Sequence, residues 1–115
     1  MSTVTTIAKG NVTAQISSMG AELTIFVVDD REYLWQADPT FWGKHAPVLF
    51  PIVGSIRGGE ATCSEGACRM ERHGLARTAE HAVVGMAEDG YAVTFEYRDT
   101  PETLKAYPYH FKLNM

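Results

Sequence analysis

Three side chains in this chain have the chemistry to grip a polar ligand: Arg57, His73 and Arg77. Arginine presents a planar fork of donors that suits hydroxyl or carboxylate oxygens. Histidine donates to a neutral oxygen or moves a proton near neutral pH. Arg57 and His73 are each followed by glycine, within the run "HAPVLFPIVGSIRGGEATCSEGACRMERHGLAR". Together the three suit a polyhydroxyl ligand. A solvated surface cluster is the competing reading, and a lone histidine is more often structural than functional.

Other chemistries fare worse. Cys63 and Cys68, with His45, His73 and His81 as companions, raise the question of zinc. Structural zinc sites use closer, repeated cysteine pairs, so both cysteines read as small core or edge residues and no metal is expected. They flank a turn, which lets them face each other across two strands. Gly54-Ser55-Ile56-Arg57 lacks the second glycine of a nucleophile elbow. The glycines between Gly54 and Gly59 precede no Lys-Ser/Thr pair, so no phosphate loop is present. Trp35, Phe41, Trp42, Tyr107 and Tyr109 are read mainly as core or edge plugs, with a sugar platform as the alternative.

These residues need a scaffold, and the pattern around them is β. Thr5–Ala8, Asn11–Ile16 and Glu22–Val28 alternate or are β-branched, with breaks at Lys9-Gly10-Asn11 and Asp29-Asp30-Arg31. Tyr33-Leu34-Trp35 reads as a short strand. Pro47 and Pro51 exclude a central strand through Val48-Leu49-Phe50, which reads as a buried irregular crossing. Strands are expected around Ala61–Cys63 and Cys68–Met70, joined by Ser64-Glu65-Gly66-Ala67. Another hairpin runs from His81–Met86 to Tyr91–Tyr97 through an Asp-Gly turn. Thr100 caps one helical turn with Pro101 in its first position, and Pro108 stops it. Tyr109–Leu113 is a last strand with no partner after it, a liability in a sheet.

The gross numbers fit one globular domain. The chain has 115 residues, 45% hydrophobic, with a net charge of −4 and two cysteines. Mild acidity and scattered basic residues argue against a nucleic-acid partner. No apolar run is long enough for a membrane span. No secretion signal is visible, so a reducing cytoplasm is the expected location.

Four strings occur in order: "GAEL", "YLWQADPTFWGKHAPVLFPIVG", "RHGLAR" and "ETLKAYPYHFKL". They resemble the aldose 1-epimerase (galactose mutarotase) family, in particular its LacX-like branch. The resemblance implies an all-β fold. Residues 1–115 would be the N-terminal portion of an antiparallel β-sandwich of the galactose mutarotase-like supersandwich type, with the C-terminal half absent. It also implies a monosaccharide ligand and no cofactor. Family members interconvert α and β anomers of free aldoses. A base takes the anomeric hydroxyl proton, an acid protonates the ring oxygen, and the opened sugar recloses from the other face.

By the same resemblance, His73 in "RHGLAR" matches the family's substrate-contacting histidine. Its sugar-binding arginine falls on Ser55 here. Arg57, two residues on and on the same face if the segment is a strand, is assigned that contact. Arg77 is expected to brace the loop of His73. The family's acid histidine and catalytic glutamate lie beyond Met115, so no catalytic residue is assigned. Glu71 shares strand parity with His73, which leaves a makeshift pair open. The expectation is weak or no epimerase activity in these residues alone. The alternative is a non-catalytic sugar-binding module, or one that assembles through its exposed sheet edges.

Overall fold

The computed structural model describes residues 2–115. Nine short strands and one six-residue helix make up its regular structure, apart from brief 3₁₀ turns. Strands β1 (Val4–Lys9), β2 (Val12–Ser17), β3 (Glu22–Val28) and β4 (Arg31–Glu32) form an antiparallel meander in that order. Its turns follow from local chemistry. Asp29 and Asp30 both sit at positive φ (50° and 62°), the conformation a two-residue hairpin loop requires. Strands β5 (Glu60–Cys63) and β6 (Gly66–Arg69) form a separate hairpin. A third sheet has the order β7 (Ala82–Met86), β8 (Val93–Arg98), β9 (Lys112–Asn114).

Helix α1 (Pro101–Ala106) links β8 to β9 and is capped as its sequence requires. The Thr103 N–H donates to Thr100 Oγ1 (3.2 Å) while the Thr100 N–H donates to Thr103 Oγ1 (2.8 Å). The box satisfies two backbone donors at once.

Four local expectations are corrected. Tyr33-Leu34-Trp35 is not a strand. The Glu32 carboxylate accepts the N–H groups of Phe26 (2.8 Å) and Leu34 (3.0 Å), so a side chain replaces the next backbone acceptor and the ladder ends. The turn after Cys63 is only Ser64-Glu65, because Cys63 pairs with Gly66. The Pro47–Pro51 crossing is irregular but half-buried, not buried. The last strand begins at Lys112, since Asp99 Oδ1 holds the Phe111 N–H (2.9 Å) outside the regular ladder.

The core is thin. Ile16, Ala21 and Phe95 form its buried centre, with Ile7, Leu23, Val93 and Met115 packed around them. These side chains also line an open apolar groove of about 350 Å³ between the first and third sheets. The radius of gyration is 16.2 Å, against roughly 13 Å for a compact domain of this size. A second cluster is aromatic: Phe50, Tyr97, Tyr107, Tyr109 and Phe111 meet at tilted or edge-on angles beside His81.

Candidate functional site

The segment that carries His73 is a tight turn. The Gly74 N–H donates to Glu71 O (3.0 Å), which places His73 at the third position with φ +69°. That position normally goes to glycine or asparagine. Here the ring supports its own strained backbone. The His73 N–H donates to Gly54 O (2.8 Å), and the Gly54 N–H donates to His73 Nδ1 (2.9 Å). A backbone N–H can only donate, so Nδ1 is the bare nitrogen and the ring proton sits on Nε2. The clasp therefore fixes both the ring and its tautomer.

Around it lies a cavity of about 470 Å³, lined by Trp42, Lys44, Pro47, Leu49, Arg72, His73 and Arg77. Its size suits a small-molecule ligand. Trp42 is 50% exposed and offers an amphipathic ring at the rim. The two strips forming the wall are joined backbone to backbone. Phe50 bridges Gly74, and Phe50 O accepts the N–H groups of Leu75 (2.8 Å) and Ala76 (3.1 Å). Arg77 Nη2 donates to Arg72 O (3.0 Å), bracing the histidine turn as expected. Its Nε is buried and has no hydrogen-bond partner among the described residues. Glu22 anchors the other side, its Oε1 accepting the N–H groups of His45 (2.8 Å) and Ala46 (3.0 Å).

Of the three polar residues singled out in the sequence, His73 and Arg77 reach the cavity and Arg57 does not. Residues 54–56 are not a strand, and Arg57 opens a short 3₁₀ turn where it is exposed. The two-residue periodicity that would turn it toward His73 is absent. Glu71 is exposed and also lies outside any strand, so strand parity does not pair it with His73. Sequence reasoning missed Lys44, Arg72 and the anchoring role of Glu22. They sit at loops and a strand start where no period reports direction. The aromatics divide. Tyr107 and Tyr109 join the interior cluster, whereas Trp35, Phe41 and Trp42 are exposed.

A family model described as aldose 1-epimerase matches residues 2–115. The chain belongs to the aldose 1-epimerase family. Similar proteins in this family include the plasmid and chromosomal forms of protein LacX from Lactococcus lactis subsp. lactis. Each is 38% identical over 112 residues, covering 90% of this chain and 36% of the relative. The galactose mutarotase related enzyme from Lactobacillus acidophilus superposes with a TM-score of 0.90 at 37% identity, covering 97% of this chain and 37% of that one. A galactose mutarotase-like protein from Lactobacillus casei ATCC 334 gives 0.90 at 35% identity, covering 97% and 38%. The antiparallel architecture is thus galactose mutarotase-like, and this epimerase-family chain spans little more than a third of the length of those relatives. Among the described residues, no helix is long and apolar enough to cross a membrane.

His81, considered above as a metal companion, is packed inside. Among the described residues no three His, Cys, Asp or Glu side chains converge as metal ligands. His81 is 3% exposed and lies against Tyr97, with ring centroids 4.9 Å apart. Its Nδ1 is 2.9 Å from Ala79 O, and a carbonyl only accepts, so Nδ1 carries the proton. Nε2 is buried with no hydrogen-bond partner among the described residues. Burial holds this imidazole below its ordinary pKa, against weaker upward pulls from the Ala79 carbonyl and Glu80. The unfolded chain therefore binds the proton more readily than the folded one. Stability is full above the unfolded value of about 6.5 and falls as pH drops through it toward the lower folded value. Urea midpoints measured from about pH 8 to pH 5 are expected to fall less steeply in His81→Phe than in the parent. Parallel profiles would remove His81 as the cause.

Proposed function

We propose that this chain supplies the sugar-binding wall of an aldose 1-epimerase, with His73 as the residue that meets the substrate. The observation that carries this reading is the Gly54–His73 clasp, which leaves Nε2–H as a fixed donor on a residue of the cavity wall. A preset donor aimed where an oxygen gains negative charge stabilises it without reorganisation. In ring opening that oxygen is on the sugar. Arg77 lines the same cavity, with its Nη2 held on Arg72 O. Trp42 supplies the apolar face that a pyranose ring stacks on. Arg57, standing outside the cavity, has no part in this contact.

The reaction needs a base at the anomeric hydroxyl and an acid at the ring oxygen. Among the described residues the cavity wall contributes cations, an imidazole and apolar groups but no carboxylate. The 115 residues by themselves are therefore expected to bind aldoses and to leave anomer exchange near its uncatalysed rate. Polarimetry on fresh α-glucose or α-galactose checks this. Mutarotation well above the buffer rate, abolished in His73→Ala, would reverse that expectation and place the full reaction in this chain.

A second reading, assembly through exposed surface, is favoured by the apolar groove and by exposed Val4, Phe26, Val83 and Met86. Copies pairing along these sheets would supply the burial that the thin core lacks. Light scattering separates the two: a monodisperse monomer that binds sugar supports the first reading alone.

A further inference from the structure

The β5–β6 hairpin holds two thiols in contact outside the sugar cavity. Cys63 Sγ and Cys68 Sγ are 3.2 Å apart. Cys63 is half-buried near the tip and Cys68 is buried behind it. In the ladder Cys63 stands opposite Gly66 and Cys68 opposite Ala61, so the cysteines are diagonal neighbours on one face. We propose that Cys63 and Cys68 form a reversible cross-strand disulfide by exchange with a small-molecule disulfide.

The environment divides the two roles. Cys68 donating to Cys63 holds the Cys63 thiol below its usual range, helped by the Tyr109 hydroxyl, while the same contact and burial push Cys68 up. A lowered, accessible thiol is the better first nucleophile. Cys63 thiolate attacks one sulfur of the external disulfide, and a thiolate leaves and takes a proton from water. A mixed disulfide remains on Cys63. Cys68 then gives its proton to solvent and attacks Cys63 Sγ, and the second thiolate leaves. Two protein thiols are oxidised, and one external disulfide is reduced to two thiols.

The register also accounts for reversibility. Diagonal strand neighbours have Cα atoms roughly 7–8 Å apart, at or beyond the usual limit of about 6.8 Å for a disulfide. Such a bond is strained, and strained bonds are the readily reduced ones. The position matters because the hairpin joins the two halves of the candidate site. β5 lies a few residues after Gly54, whose N–H holds the His73 ring, and β6 leads within a few residues to Arg72 and His73. Ser64 at the tip is tied to the Tyr109 hydroxyl (2.9 Å), and β6 packs on α1. Closing the bond cross-links the arm that leads into the histidine turn.

The test uses the whole chain, oxidised glutathione as the probe, and trapping of remaining thiols with N-ethylmaleimide. Intact mass is expected to fall by about 2 Da with no maleimide added, and millimolar reduced glutathione is expected to restore both alkylatable thiols. Cys68→Ser should accumulate the glutathione adduct on Cys63, and Cys63→Ser should react more slowly at Cys68. Ring closure in the native chain should run at least about 10-fold faster than in guanidinium, since the fold presents the pair. Two thiols still open to maleimide, a glutathione adduct persisting on the parent chain, a disulfide between two chains, or equal rates in guanidinium would each overturn the proposal.

Discussion

Gly74→Ala is expected to remove a large share of the stability of the folded chain. A methyl group there would lie 2.6 Å from Phe50 O, 2.9 Å from Phe50 C and 2.9 Å from Pro51 Cδ. All three atoms belong to the main chain or a proline ring, so none can rotate away. Phe50 O already binds the Leu75 and Ala76 N–H groups, and retreat would break both bonds. The backbone at Gly74 has φ +76°, which alone costs an alanine about 1–2 kcal/mol. Overpacking adds about 1–3 kcal/mol, a large share of the stability of any small domain. Gly90→Ala is the control, having φ +75° with nothing within 4 Å of the added carbon. Urea unfolding is expected to show the Gly90 variant losing only the backbone part and the Gly74 variant losing far more. Equal losses would mean that the Phe50 strip shifts at little cost.

His73 separates into two functions that substitution can pull apart. His73→Ala removes the acceptor of the Gly54 N–H and the Nε2 donor together. Stability is expected to drop by about 1–3 kcal/mol for the orphaned amide, and aldose affinity by about 10-fold or more, the scale of one well-placed hydrogen bond. His73→Asn tolerates positive φ and offers Oδ1 where Nδ1 stood. It is expected to keep the fold and still lose the sugar, because no donor remains at the far edge of the ring. Calorimetric titration with galactose or glucose, paired with thermal unfolding, reads both effects. An asparagine variant with undiminished affinity would show that Nε2 does not contact the ligand.

Much of the scaffold was legible because its signals are local. Alternation in Asn11–Ile16 reflects one buried face, and Ala14 and Ile16 are indeed buried. The Thr100 cap and Pro101 act within a few residues and lie where expected, and the turn expected at Asp29-Asp30-Arg31 is shorter only by Arg31, which opens β4. The "RHGLAR" string likewise pointed to His73 and to the bracing role of Arg77. Strand ends were less legible, since Glu32 and Asp99 end ladders with carboxylates, and a side-chain acceptor leaves no periodic trace.

The sequence by itself determined the β character, the family and the histidine at the centre of the candidate site. Tertiary structure alone decided the ring's tautomer, since Gly54 and His73 lie 19 residues apart and meet only when two irregular strips pair. It turned Arg57 outward and brought Lys44 and Arg72 to the cavity. Regular strands dictate side-chain direction at every second residue, but loops do not. The direction of a loop residue is set by whichever distant backbone group its neighbours bind.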